Sequence, residues 1–76
     1  ARTPANTLLV LDSQGSTISE YTPDGVLVSR FGTRGSGPTD LFVPSGLAVA
    51  PDGRIFVSDT GNGRIQVFGA DGTHDR

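Results

Sequence analysis

Asp59, Asn62 and Arg64 place a carboxylate, an amide and a guanidinium within the six residues Asp59-Thr60-Gly61-Asn62-Gly63-Arg64. Donors, acceptors and both signs of charge at that spacing could hold a polar ligand at the rim of a fold. The same residue types also build turns. Asp and Asn side chains accept hydrogen bonds from backbone groups two or three residues on. Gly61 and Gly63 supply backbone angles that other residues adopt only at a cost. Arg64 can pair with Asp59 or with Asp12, or simply face water. A turn between two strands accounts for every residue of the stretch. Ligand binding by Asp59, Asn62 and Arg64 is the second use to which that turn could be put.

Other constellations fall short of chemistry. The segment Gly32-Thr33-Arg34-Gly35-Ser36-Gly37 lacks the Lys and the Ser or Thr that complete a phosphate loop. Asp52-Gly53 and Asp71-Gly72 lack the alternating acids and distal Glu of a calcium loop. The single His, His74, has no apolar residue beside it to position it for a Ser-His-Asp triad. With no Cys, disulfides and thiolate zinc sites are excluded. We therefore expect no catalytic residue, no metal site and no cofactor, and a protein that is not an enzyme. Six Arg and no Lys stand against eight acidic residues, a net charge of −2. That balance argues against a nucleic-acid partner, because displacing counterions from phosphates needs a basic surface. The apolar runs are far shorter than the ~20 residues that cross a bilayer, so no membrane span is expected. No long apolar region follows a basic start, as it would in a secretion signal.

The elements that must position these residues read as strands. Short apolar runs recur at Leu8-Leu9-Val10-Leu11, Ile18 to Tyr21, Val26-Leu27-Val28, Leu47-Ala48-Val49-Ala50, Ile55-Phe56-Val57 and Ile65 to Phe68. Gly, Asp, Asn, Ser or Pro bounds each of them, which is the pattern of strands joined by turns. No window carries a helical apolar stripe. Pro23-Asp24-Gly25 and Pro51-Asp52-Gly53 supply the turn chemistry, since Pro presets the first corner and Gly admits positive φ at the end. An antiparallel all-β meander is expected. It also repeats. A shift of 47 residues lays 8–25 over 55–72 without a gap, matching Val10 to Val57, Asp12 to Asp59, Ile18 to Ile65 and Asp24-Gly25 to Asp71-Gly72. That period is close to the ~40–50 residues of a four-stranded propeller blade.

Residues 31–72 resemble an NHL repeat, a blade of a β-propeller. The resemblance is carried by Phe31-Gly32, Gly35-Ser36-Gly37, Phe42, Pro44-Ser45-Gly46-Leu47-Ala48-Val49, Asp52-Gly53 and the segment from Asp59 through Asn62, Arg64 and Ile65 to Val67. Residues 8–30 match the later part of a preceding copy, in which Gly15 and Thr17 replace Asn62 and Arg64. The resemblance implies two partial blades of antiparallel strands. Residues 1–30 form the first, with strands near 8–12, 17–21 and 26–31 and no innermost strand. Residues 31–45 link the blades, and 46–76 form the second, with strands at 46–50, 54–58 and 64–68 and without a full outer strand. The Tyr and the four Phe are expected in the core.

A chain of 76 residues buries only about 60% of its unfolded surface, so a reinforcing partner is expected. Unpaired strand edges and uncovered faces point to other NHL-like blades, in a longer parent chain or in further copies closing a ring or extending a fibre. The expected function is a structural and interaction scaffold, with a protein or small ligand on the loop face. The alternative is a piece of a propeller enzyme, lyase-like or lactonase-like, whose metal and catalytic residues lie in other blades. The resemblance implies an extracellular or periplasmic, bacterial-like location.

Overall fold

Strands form where the apolar runs are bounded by turn residues. In the computed structural model, which describes residues 1–74, these are β1 (Leu8–Asp12), β2 (Thr17–Tyr21), β3 (Leu27–Phe31), β4 (Gly46–Val49), β5 (Ile55–Asp59) and β6 (Arg64–Phe68). They make two three-stranded antiparallel sheets, β1-β2-β3 and β4-β5-β6, hereafter sheet 1 and sheet 2. The all-β class expected from the sequence is therefore observed, with the geometry of two partial NHL blades. Asp75 and Arg76, the last residues of the expected second blade, lie outside the described residues.

Small shifts from the expected strand ends have local causes. β3 starts at Leu27 because Val26 belongs to the turn: its carbonyl accepts from Thr22 N and its N–H donates to Thr22 Oγ1. Ala50 leaves β4 in the same way, donating to the Arg54 carbonyl across the Pro51-Asp52-Gly53 turn.

The core lies between the sheets. Alternation along β5 is strict: Ile55, Val57 and Asp59 are buried while Phe56 and Ser58 are half-exposed. Leu9 and Ile18 from sheet 1 cluster with Ile55, Val57 and Phe68 from sheet 2. Leu41 from the connecting loop completes the cluster. Each buried side chain of this size contributes about 1.5–3 kcal/mol, so this single layer is the main source of stability. Phe68 and Phe31 meet across it with ring centroids 5.2 Å apart. Not every aromatic joins the core as expected: Phe42 is 37% exposed, and Tyr21, Phe31 and Phe56 are half-buried.

Residues 1–7 form no strand, but they pair with β1 at one end. Ala1 and Leu9 exchange hydrogen bonds of 2.8 and 2.7 Å, and Arg2 bridges Leu8. In sheet 2 the pairs Ala48–Phe56 and Val49–Ile55 occupy the same places 47 residues later. The turns agree as well. Asn6 N donates to Thr3 O as Gly53 N donates to Ala50 O, and Asn6 and Gly53 both have positive φ, 65° and 95°. At the other end, the bridge Phe68–His74 repeats the pair Tyr21–Leu27. The repeat thus extends in three dimensions beyond the segment in which side chains reveal it.

Candidate functional site

Asp59 ends β5, Asn62 closes a 3-10 turn, Thr60–Asn62, and Arg64 begins β6 opposite Asp59. The expected local turn is not what the Asp59 carboxylate makes, since it caps nothing in the turn that follows. Instead it is fully buried and reaches across to the loop between the sheets. One oxygen accepts from Phe42 N at 2.7 Å. The other accepts from Asn62 Nδ2 and Arg64 Nε, each at 2.9 Å. Burial pushes this carboxyl up, but the bonds from Asn62, the Phe42 N–H and Arg64, with the guanidinium charge, outweigh it and hold Asp59 below the usual carboxylate range.

The partners extend the grip. Asn62 Nδ2 also donates to the Gly35 carbonyl at 3.0 Å. Arg64 Nη2 donates to the carbonyls of Gly37 and Asp40. Gln66 Nε2 donates to the carbonyls of Pro38 and Asp40 at 3.0 and 3.1 Å. From the other direction Gly61 N donates to the Phe42 carbonyl at 2.7 Å. A loop of this length with no strand or helix of its own would otherwise leave these carbonyls to water. Three side chains and one backbone N–H from one hairpin satisfy them.

Two glycines make this approach possible, for different reasons. Gly63 has φ 64°, which fits the positive φ expected of it. Gly61 does not lie in the positive-φ region; a Cβ there would overlap the Phe42 ring and carbonyl, so its role is close approach.

The sequence-derived trio is therefore brought together, and its polar atoms face the loop. Gln66 was missed. Its signal was available, because an amide alternating with Arg64 and Phe68 along one strand face points inward rather than to solvent. His74 was expected to lack an anchor. It is anchored: a ring nitrogen lies 2.6 Å from Gln66 Oε1, and the ring packs edge-on against Phe68.

Beside Asn62 lies a shallow depression of about 360 Å³, lined by Gly35, Ser36, Phe42 and Gly61 as well. The Arg34 guanidinium sits 5.5 Å over the Phe42 ring at its edge. Among the described residues, no three His, Cys, Asp or Glu side chains lie close enough to hold a metal, and no helix is long and apolar enough to cross a membrane.

Comparison with known proteins adds family evidence to this geometry. The NHL repeat family matches residues 43–68, which span the end of the loop and all of sheet 2. Protein lin-41 of Caenorhabditis elegans is 37% identical over 59 residues, covering 78% of this chain and 5% of that protein. NHL repeat-containing protein 3 of Homo sapiens is 30% identical over 67 residues, covering 84% of this chain and 19% of that protein. The E3 ubiquitin-protein ligase TRIM71 of Rattus norvegicus is 44% identical over 48 residues, covering 63% and 6%. The chain thus spans less than a fifth of the length of these curated relatives.

Proposed function

This chain is an NHL-repeat protein, and from that premise we propose that it is an interaction scaffold whose two open sheet faces bind further NHL-like blades. One observation carries the reading. Each sheet buries one face against the other and exposes apolar side chains on its second face, beside polar ones on sheet 1, where Arg30 Nε donates to the buried Ser19 Oγ. On sheet 1 the uncovered face presents Leu8 and Val10, 40% and 52% exposed, and on sheet 2 it presents Ile65, 61% exposed. Apolar side chains in register on a strand face have their lowest free energy under a second layer. In this reading residues 1–30 and 46–76 are two partial blades and the loop at 31–45 is their joint.

Asp59, Arg64 and Gln66 act as positioning residues, since they set the loop that fixes one blade on the next. The depression beside Asn62 is where a protein segment or small ligand would contact the loop face. The experiment is complementation of an NHL propeller from which two blades have been deleted. A 1:1 complex is expected, with amide exchange slowed at Leu8, Val10, Phe56 and Ile65. Absence of a complex, or protection confined to 33–42 and 60–62, would overturn the reading.

A further inference from the structure

The two open faces are the repeat counterparts of the pair of surfaces that meet inside the molecule. On sheet 1 the inward face carries Leu9, Leu11 and Ile18, and on sheet 2 it carries Ile55, Val57 and Phe68. Shifting by 47 residues exchanges inward for outward. Leu9, Leu11 and Ile18 become Phe56, Ser58 and Ile65 on the open face of sheet 2. Ile55, Val57 and Phe68 become Leu8, Val10 and Tyr21 on the open face of sheet 1. The sheet 1–sheet 2 contact is therefore a template for a contact between open faces, and that contact is head-to-tail.

What should approach sheet 1 is written in its hairpin. A blade joined through a loop like 32–45 brings carbonyls that need the amides and guanidinium of Asn62, Arg64 and Gln66. The equivalent positions hold Gly15, Thr17 and Ser19, which cannot reach such a loop. Asp12, the counterpart of Asp59, is already engaged by its own turn, accepting from Gln14 N and Gly15 N at 3.2 and 3.0 Å. Sheet 1 is thus fitted for a neighbour that arrives without that loop.

From these two observations the geometry points to a second copy of this chain as the occupant, its Phe56–Ile65 face docked on the Leu8–Val10 face of the first. This rests on the reading of the open faces as blade-binding surfaces and names their partner. Two adjustments accompany docking. Arg54, now stacked 5.6 Å over Phe56, moves aside. The new joint also lacks a counterpart of Leu41, fully buried in the internal one, so it is the weaker of the two.

Two variants test the direction of docking. Val10→Arg blocks the sheet 1 face and Ile65→Arg the sheet 2 face, both at exposed positions that leave the core intact. By native mass spectrometry and light scattering, up to roughly the micromolar range in which weaker interfaces populate, the wild-type chain is expected to form dimers and larger species. Each variant alone should be monomeric, and an equimolar mixture should give a dimer with one copy of each. Val10→Cys mixed with Ile65→Cys should then form the mixed disulfide in preference to either symmetric one. A wild-type chain that stays monomeric throughout would overturn the inference, as would a single Arg variant that still dimerises or a predominance of symmetric disulfides. Complementation of the deleted propeller by a monomeric wild-type chain would show that only the self-docking, and not the blade-binding role, had failed.

Discussion

Asp12 and Asp59 occupy the same place in two hairpins 47 residues apart, and their carboxylates do different work. In sheet 1, Asp12 turns back on its own chain and accepts from Gln14 N and Gly15 N at the exposed rim. In sheet 2, Asp59 is buried and binds Phe42 N, 17 residues back, as well as Asn62 and Arg64, so that one hairpin fixes the loop between the sheets. The backbone path is nearly the same in both, down to positive φ at Ser16 (56°) and Gly63 (64°). What differs is side chains of sufficient reach at two positions. A turn of one shape can be either self-contained or a clamp, and the residues three and five places after its Asp decide which.

The difference between the hairpins should be measurable. Removing the buried carboxylate with Asp59→Ala leaves Arg64, Asn62 and the Phe42 N–H without their shared acceptor. Breaking a buried, hydrogen-bonded ion pair costs about 3–5 kcal/mol, and the partial exposure of Arg64 puts this case at the lower end. Urea unfolding should show that loss, together with faster proteolysis between Thr33 and Asp40. Protonation should act on the same contact. Because the folded pKa of Asp59 lies below its ordinary value of 3.8, its stabilisation is fully present above that value and disappears as pH falls through the depressed one. Acid titration of Asp59→Asn should accordingly lose part of the wild-type slope below about pH 4.

Smaller effects should sort the two loops further. Gly61→Ala drives a Cβ into the Phe42 ring and carbonyl, and overpacking of this kind costs about 1–3 kcal/mol, whereas Gln14→Ala at the matching position should be nearly silent. Ser16→Gly should stabilise the chain by about 1 kcal/mol, raising the melting temperature. It relieves a left-handed conformation in a residue with a Cβ and removes a buried hydroxyl without a partner. Asp12→Ala should be the mildest, on the order of 0.5–1 kcal/mol, since it removes two exposed hydrogen bonds to backbone.

The fold was legible because its punctuation is chemical. Pro23-Asp24-Gly25, Pro51-Asp52-Gly53 and the alternation in Ile55–Asp59 name their own conformations. Residues 1–7 were not legible, since Ala1-Arg2 show no apolar run and their place comes from backbone pairing with Leu8 and Leu9. The clamp was half legible. Asp59, Asn62 and Arg64 could be grouped by type and spacing. Their loop partners are the Phe42 N–H, bound by Asp59, and the carbonyls of Gly35, Gly37 and Asp40, bound by Asn62 and Arg64, and backbone groups look the same on every residue.

The placement of the core between the sheets also sets the order in which the chain can be completed during synthesis. Leu9 and Ile18 emerge from the ribosome well before Ile55, Val57 and Phe68, the residues that cover them. At about 5–20 residues per second, that leaves the first hairpin uncovered on one face for a time on the order of seconds. Those seconds are the interval in which the nascent chain is open to aggregation and to chaperones, and any change that delays β5 and β6 lengthens it.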